Sequence, residues 1–201
     1  MIGFYNYTII LTYVSVASAV VGIGAAMGGR TTMAIICLLF SGLCDMFDGP
    51  VARRRSSTPQ EKQFGIQIDS LADIVAFGVL PAVIGFAVGL KGNEVILLAL
   101  YVLAALTRLA YYNVTEEERQ AETEEKRKEY EGLPVTSVAL ILPVIYGFKN
   151  LLGQHFAFVY AASLVCISLA FLVRVKVKKL GAVGMLILIA VGLLELIWVL
   201  I

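Results

Sequence analysis

The sequence has few charged residues, only three cysteines and a single histidine. Charged residues make up 15% of the 201 residues, whereas hydrophobic residues make up 59%. Soluble domains have about 25% charged and about 45–50% apolar residues. A soluble fold of this length could not bury so much apolar surface, and a disordered chain would have the opposite composition. The composition therefore predicts an integral membrane protein.

The sequence also lacks a charge excess and a cysteine framework. Its formal net charge is +1, so no basic excess points to nucleic acid. The cysteines, Cys37, Cys44 and Cys166, include no CxxC pair, and we interpret them as small apolar residues. The amino-terminal stretch has no basic region and no A-x-A cleavage site, so we expect no signal peptide.

Long apolar runs fill most of the chain. A membrane-spanning helix needs about 20 apolar residues, and seven stretches approach that length. They predict an all-α bundle of about seven spans in a single domain, residues 1–201, with spans near 6–28, 32–52, 66–90, 94–114, 134–150, 155–174 and 181–201. We expect Glu195, in the last span, to be buried in the bundle. The polar insertion from Thr115 to Glu131 predicts a solvated amphipathic helix.

Basic residues are distributed unevenly between the turns. The turns after the second, fourth and sixth spans hold twelve Lys and Arg residues, whereas the first, third and fifth turns hold three. Turns rich in Lys and Arg face the cytoplasm. The distribution predicts a multi-pass protein of the cell membrane whose amino terminus lies in the cytoplasm.

Aspartate occurs at only four positions, all near the ends of the second and third predicted spans. Asp45 and Asp48 are three residues apart, and Asp69 and Asp73 are four residues apart, so each pair shares one helix face. Because a short turn joins the two spans, we expect antiparallel neighbours whose four carboxylates converge at the cytoplasmic end. Aspartates that merely reach water from a helix end are the alternative.

Such a cluster predicts a metal site. Close carboxylates repel one another unless cations neutralise them, and their oxygens suit Mg²⁺, Mn²⁺ or Ca²⁺. Four carboxylates could hold two ions, an arrangement suited to phosphoryl chemistry. A divalent-cation transporter would also need acidic ligands, but transport sites usually lie near the membrane midplane.

Eight positions around these aspartates form a motif of fixed spacing. It reads Asp45-x-x-Asp48-Gly49-x-x-Ala52-Arg53 and then Gly65-x-x-x-Asp69-x-x-x-Asp73. The pattern resembles the signature of the CDP-alcohol phosphotransferases, although the gap between its two halves is longer than usual. The resemblance implies that an alcohol displaces CMP from a CDP-linked lipid with the help of two divalent ions, Mg²⁺ or Mn²⁺.

The resemblance also implies a role for each motif position. It implies Asp45, Asp48, Asp69 and Asp73 as metal ligands, and Asp73 as the general base that takes the proton of the attacking hydroxyl. The implied CDP and phosphate site comprises Asp45, Gly49, Ala52, Arg53, Gly65 and Asp69. Family members often carry polar residues near the start of the first span, which would bring Asn6 and Thr8 to the nucleotide. An ordinary helix start is the alternative for those two residues.

Further segments address the acceptor alcohol. Residues 69–81, 106–113 and 132–136 resemble bacterial and archaeal phosphatidylserine synthases, so the likeness covers about residues 40–137. This implies CDP-diacylglycerol or a CDP-archaeol type ether lipid as donor, L-serine as acceptor, CMP as product and a homodimer. Glycerol 3-phosphate or inositol phosphate is the alternative acceptor, although its phosphate would need further basic groups.

Arg108 is the only Lys or Arg in the interior of a predicted span, away from its ends. A buried arginine needs an anionic partner, and its guanidinium suits the carboxylate of serine or a phosphate. An ion pair with one of the aspartates is the alternative. Tyr111, Tyr112 and Asn113 could complete the serine site by hydrogen bonding, or the tyrosines could be interfacial anchors.

Overall fold

The computed structural model describes residue 3 and residues 9–52, 58–122, 129–178 and 182–200, and nearly all of this part is helical. The helices are α1 (Ile9–Met27), α2 (Thr31–Ala52), α3 (Pro59–Asp73), α4 (Leu80–Ala87), α5 (Val95–Glu122), α6 (Val138–Gly147), α7 (Lys149–Leu152), α8 (Phe156–Leu172) and α9 (Ala182–Leu200). A π-helical segment, Ile74–Val79, joins α3 to α4. Short 3₁₀ turns lie at Gly92–Glu94, Val135–Ser137 and Gly153–His155. Two antiparallel strands, β1 (Glu129–Glu131) and β2 (Lys176–Lys178), complete the described elements.

Each predicted span has a helical counterpart. Four helical stretches are long and apolar enough to cross a membrane: Ile9–Met27, Gln60–Ala87, Gly92–Arg119 and Lys149–Leu172. Three shorter apolar helices account for the other predicted spans: Thr31–Phe47, Val135–Gly147 and Leu186–Val199. The prediction of an all-helical membrane bundle is therefore confirmed, with the short β1–β2 pair as an addition.

The outside of the bundle is apolar, as a lipid-facing surface requires. On α5, Tyr101 and Ala105 are fully buried, whereas Leu103 and Leu106 are 58% and 50% exposed. A soluble protein rarely exposes so much contiguous apolar surface. Glu195 is 4% exposed, on α9 where that helix packs against α2 and α6, so its expected burial is confirmed.

Helix α3, which corresponds to the third predicted span, begins earlier than residue 66. Thr58 forms a capping box with Glu61: its side chain accepts from the Glu61 amide, and its own amide donates to Glu61 Oε2 at 2.8 Å. Pro59 at the first helical position suits this start, because it has no amide hydrogen to satisfy. The helix therefore begins near Pro59 rather than at residue 66.

Small residues hold α1 and α2 close together just before the first aspartate. Ser15 and Ser41 each donate a side-chain hydrogen bond to the other's backbone carbonyl, at 3.3 and 3.0 Å. On the other side of α2, a Cβ added to Gly42 would collide with the Cβ of Ala139 on α6. Asp45 follows within one turn of these contacts. Its helix is thus fixed by two neighbours at the level where the carboxylate projects.

The polar insertion is only partly the amphipathic helix that we predicted. Helix α5 continues through Glu122, and Glu116 pairs with Arg119 at 2.6 Å within it. Residues 123–128 lie outside the described residues. The prediction is wrong for Glu129–Glu131, which form β1. That strand pairs with residues just after α8, and such a distant partner cannot be read from local periodicity.

Candidate active site

Two neighbouring helices bring three of the four aspartates together. Asp45 projects from the carboxyl-terminal half of α2, and Asp69 and Asp73 project from the last two turns of α3. One carboxylate oxygen of each residue lies within 4.8 Å of the other two. Asp73 is buried, and the other two are half-buried. The i, i+4 spacing on α3 puts both of its carboxylates on the face that meets Asp45.

The chemistry of this cluster fits a hard divalent cation. Oxygen ligands lie about 2.0–2.6 Å from Mg²⁺ or Ca²⁺, so two ligands of one ion are at most about 5 Å apart. The three oxygens meet this limit. Among the described residues, no other group of three acidic, histidine or cysteine side chains is close enough to share an ion.

The structure describes only part of the remaining motif positions. The backbone of Asp48, Gly49 and Ala52 belongs to the last turns of α2. The side chains of Asp48 and Ala52 lie outside the described part of the structure. The predicted nucleotide contacts Arg53, Asn6 and Thr8 also lie outside the described residues. Gly65 is one turn before Asp69 on α3, and among the described residues no atom beyond its own stretch of helix lies within 4 Å of the place where its Cβ would be. The described residues therefore leave the helix backbone at Gly65 open to a ligand.

Asn113 is tied directly to the carboxylate-bearing helix. Its Oδ1 accepts a hydrogen bond of 2.7 Å from the hydroxyl of Ser70, which follows Asp69 in α3. The structure therefore brings Asn113, which was predicted to contact serine, to the helix that carries Asp69 and Asp73. The bond also joins α3 to α5 at the level of the site.

Arg108 is buried on α5, with 6% of its surface exposed. Its guanidinium carbon lies 5.5 Å from the ring centre of Tyr112, within the range of a cation–π contact. Gly132 packs over this arginine with φ at +77°, and a Cβ there would lie 3.5 Å from Arg108 Nε and 3.0 Å from the Phe171 carbonyl. Only glycine combines this backbone conformation with so little space.

The region of Tyr111 includes Arg174, for which the sequence predicted no role in the site. The Tyr111 hydroxyl donates to Glu131 Oε2 at 2.7 Å, and the guanidinium carbon of Arg174 lies 5.4 Å from the Tyr111 ring centre. Backbone bonds from Gly132 to Val175, at 2.8 Å, and from Leu133 to Ala170 bring the end of α8 to this place. No sequence pattern marks Arg174, because its neighbours here are remote in the chain.

The opposite end of the bundle has a different character. A cavity of about 510 Å³ lies there beside the start of α2 and is lined in part by Thr31, Lys149 and Gln154. The Lys149 ammonium lies 3.4 Å from the hydroxyls of Thr31 and Tyr146. This end therefore carries a positive charge, whereas the aspartate cluster lies at the other end of the bundle.

Known proteins are similar to this chain over half or more of its length. The CDP-alcohol phosphatidyltransferase family matches residues 5–200. CDP-diacylglycerol–serine O-phosphatidyltransferase of Saccharomyces cerevisiae is 43% identical over 109 residues, which cover 52% of this chain and 38% of that protein. The enzyme of the same name from Helicobacter pylori is 34% identical over 114 residues, 55% of this chain and 47% of its own length.

An archaeal relative matches over a longer segment. Archaetidylserine synthase of Methanothermobacter thermautotrophicus is 29% identical over 163 residues, which cover 79% of this chain and 66% of that protein. The matched segments thus span from 38% to 66% of these relatives' own lengths. The family match, by contrast, extends over nearly the whole chain and includes the three clustered aspartates. The chain therefore belongs to the CDP-alcohol phosphatidyltransferase family.

Proposed function

We propose that this protein transfers the phosphatidyl group of CDP-diacylglycerol, or of an equivalent CDP-linked ether lipid, to the hydroxyl of L-serine and releases CMP. The observation that carries the proposal is the convergence of Asp45, Asp69 and Asp73 at one end of an apolar helix bundle. Two similar proteins are named CDP-diacylglycerol–serine O-phosphatidyltransferase and archaetidylserine synthase, which supports serine as the acceptor. Because archaetidylserine is an ether lipid, the archaeal relative is the reason to test CDP-archaeol as well as CDP-diacylglycerol as the donor.

The aspartates bind the donor through divalent ions in this proposal. Asp45, Asp48, Asp69 and Asp73 are the ligand set for two Mg²⁺ or Mn²⁺ ions. When bound, these ions supply positive charge that offsets the pyrophosphate and the departing CMP. The opening beside Gly65, together with Gly49, Ala52 and Arg53, accommodates the nucleotide, with Asn6 and Thr8 nearby.

Asp73 acts as the general base. It is the least exposed of the three described aspartates, and its carboxylate takes the proton of the serine hydroxyl. The hydroxyl oxygen then forms a bond to the lipid-side phosphorus, and the anhydride bond to CMP breaks. An alcohol is a poor nucleophile until a base within hydrogen-bond reach accepts its proton.

Arg108 orients the acceptor. Its buried guanidinium can form two parallel hydrogen bonds to the serine carboxylate, with Tyr111, Tyr112 and Asn113 around it. Arg108, unlike the exposed Lys62 and Arg174, provides a desolvated charge, and such a charge interacts more strongly than one in water. A phosphorylated acceptor would bring more negative charge, so serine matches a single buried arginine better.

We also propose that the protein is a homodimer of the cell membrane with its active site facing the cytoplasm. The basic residues of the even-numbered turns support this orientation. Serine, CDP-linked lipids and Mg²⁺ are all available on that side.

The test is CMP release by the purified protein in lipid nanodiscs. CDP-diacylglycerol or CDP-archaeol is the donor, Mg²⁺ or Mn²⁺ is present or chelated by EDTA, and the acceptor is L-serine, glycerol 3-phosphate, inositol phosphate or none. We expect metal-dependent CMP release with serine and a serine phospholipid as product. Release with another acceptor would contradict the serine assignment, and release unaffected by EDTA would contradict the metal site.

A further inference from the structure

The helix that carries Asp69 and Asp73 changes its geometry immediately after Asp73. The Leu80 amide donates to the Val75 carbonyl, five residues earlier, so residues 74–79 form a π-helical turn. Such turns occur frequently at functional sites. Pro81 follows, and because proline has no amide hydrogen it cannot serve the Phe77 carbonyl, which is four residues earlier.

A tyrosine from α5 provides the donor that Pro81 lacks. The Tyr101 hydroxyl donates to the Phe77 carbonyl at 2.5 Å, and the Tyr101 side chain is completely buried. A buried carbonyl without a partner is costly, so this bond holds the π turn to α5. The next residue, Gly78, also faces α5: a Cβ there would be in ordinary contact with the Cβ of Ala105, at 3.7 Å, but would collide with the Ile74 side chain of its own helix, at 2.6 Å.

The α5 face that contacts the π turn also carries Arg108, the residue proposed to bind the serine carboxylate. Tyr101, Ala105 and Arg108 are at positions i, i+4 and i+7, so they lie along one side of α5, and all three are buried. Farther along α5, Asn113 accepts from Ser70 on α3. Helix α5 therefore contacts the aspartate-bearing helix on both sides of Asp73, at Ser70 before it and at Phe77 after it.

We propose that Tyr101 is a positioning residue for the reaction. By bonding to the Phe77 carbonyl, its hydroxyl fixes the distance between Asp73 on α3 and Arg108 on α5, and hence between the base and the hydroxyl of bound serine. This inference rests on the proposed function. A displacement of about 1 Å between reacting groups can reduce turnover by about 100-fold, so a single bond at this place matters for rate.

Tyr160 offers a matched control. It is also completely buried, and its hydroxyl also donates to a carbonyl of the same helical region, that of Pro81, at 2.8 Å. It projects from α8, however, and does not join the π turn to the helix of Arg108. Tyr101→Phe and Tyr160→Phe each delete one buried hydroxyl-to-carbonyl bond and keep the ring.

The experiment compares the full-length variants in nanodiscs by serine-dependent CMP release, thermal unfolding and Mn²⁺ titration followed by electron paramagnetic resonance. We expect Tyr101→Phe to lower kcat by about 10-fold or more, with the KM for the CDP-lipid and the Mn²⁺ affinity within about twofold of the parent protein. Tyr160→Phe should show a similar change in Tm and a kcat within about twofold of the parent. Equal kcat values in the two variants would overturn the proposal, because Tyr101 would then be only structural.

A third variant keeps the test decisive if Tyr101→Phe does not fold. Replacement of Tyr101 by 4-aminophenylalanine retains the ring and a weaker donor at the same place, and should give a kcat below that of the parent but clearly above background. A kcat for this folded variant that is equal to the parent's or falls to background would overturn the graded dependence that the proposal requires. If the parent protein itself releases no CMP with serine, the proposed function fails, whereas an active parent with equal Tyr101→Phe and Tyr160→Phe variants refutes only the role of Tyr101.

Discussion

Replacing Asp73 with asparagine tests the proposed base with little disturbance of the bundle. The asparagine side chain has nearly the same shape, and the site is buried, with 8% of the aspartate exposed, so the packing around it should persist. The substitution removes a proton acceptor and one negative charge. Asp45 and Asp69 keep their carboxylates, whose oxygens are within 4.8 Å of each other, so we expect weakened but measurable metal binding.

The size of the effect follows from the proposed role. General base catalysis contributes about 10²–10⁴-fold to a rate, and each factor of ten corresponds to about 1.36 kcal/mol of barrier. Loss of the base at Asp73 should therefore raise the barrier by about 3–5 kcal/mol. At saturating Mn²⁺, the affinity for the CDP-lipid should change much less than turnover, because donor binding involves no proton transfer and Asp45 and Asp69 keep their carboxylates.

The assay separates turnover from binding. Serine-dependent CMP release gives kcat, and titration of nanodisc-embedded protein with CDP-diacylglycerol in the presence of Mn²⁺ gives the donor affinity. Glu195→Gln is the matched control, because it also converts a buried acid to an amide, with 4% of the glutamate exposed, but it lies on α9. Turnover of Asp73→Asn close to that of Glu195→Gln would remove Asp73 from its role as the base.

Three further predictions concern the acceptor, the metal and the packing behind Asp45. Arg108→Ala should raise the KM for serine by about 10–100-fold, as expected for the loss of a charged hydrogen bond of about 1.5–3 kcal/mol, while donor binding is retained; an unchanged KM and kcat for serine would favour the ion-pair alternative. Asp45→Asn should raise the Mn²⁺ dissociation constant measured by electron paramagnetic resonance by about tenfold or more, comparable to the loss of one charged interaction, and parent-like affinity would exclude Asp45 as a ligand. Gly42→Val should lower the stability of the bundle by about 1–3 kcal/mol through overpacking against Ala139. Gly24→Val should have a Tm close to that of the parent, because among the described residues no atom beyond its own stretch of helix lies within 4 Å of the added Cβ; equal Tm values for the two variants would contradict the close α2–α6 contact.

The spacing of the aspartates predicts a metal site because the direction of side chains along one helix depends only on their separation in sequence. In a helix, residues three or four apart share a face whatever surrounds them, and a short turn between two spans makes the helices neighbours. The approach of Asp45 to Asp69 and Asp73 follows from these two facts. The capping box of Thr58 and Glu61 is equally local, and its T-x-x-E pattern could have placed the start of α3 at residue 59.

Other parts of the candidate site have no local signal. Arg174 lies beside Tyr111 only because the backbone of Gly132 and Leu133 bonds to the end of α8. The resulting β1–β2 pair replaced the helix that we expected for Glu129–Glu131. Both features depend on two segments that are distant in the chain and pack at one end of the bundle.

Composition and periodicity determined that this chain forms a membrane helix bundle, because burial of apolar surface in lipid requires helices whose backbone groups are satisfied internally. Residue spacing likewise determined which carboxylates could face one another. Only the tertiary structure decided how the site is held: the Ser70–Asn113 bond, the Tyr101 bond to Phe77 and the closure of Gly132 over Arg108 each join separate helices. The physical reason is that a helix face follows from the sequence of one helix, whereas the partner of that face follows from how all the helices pack together.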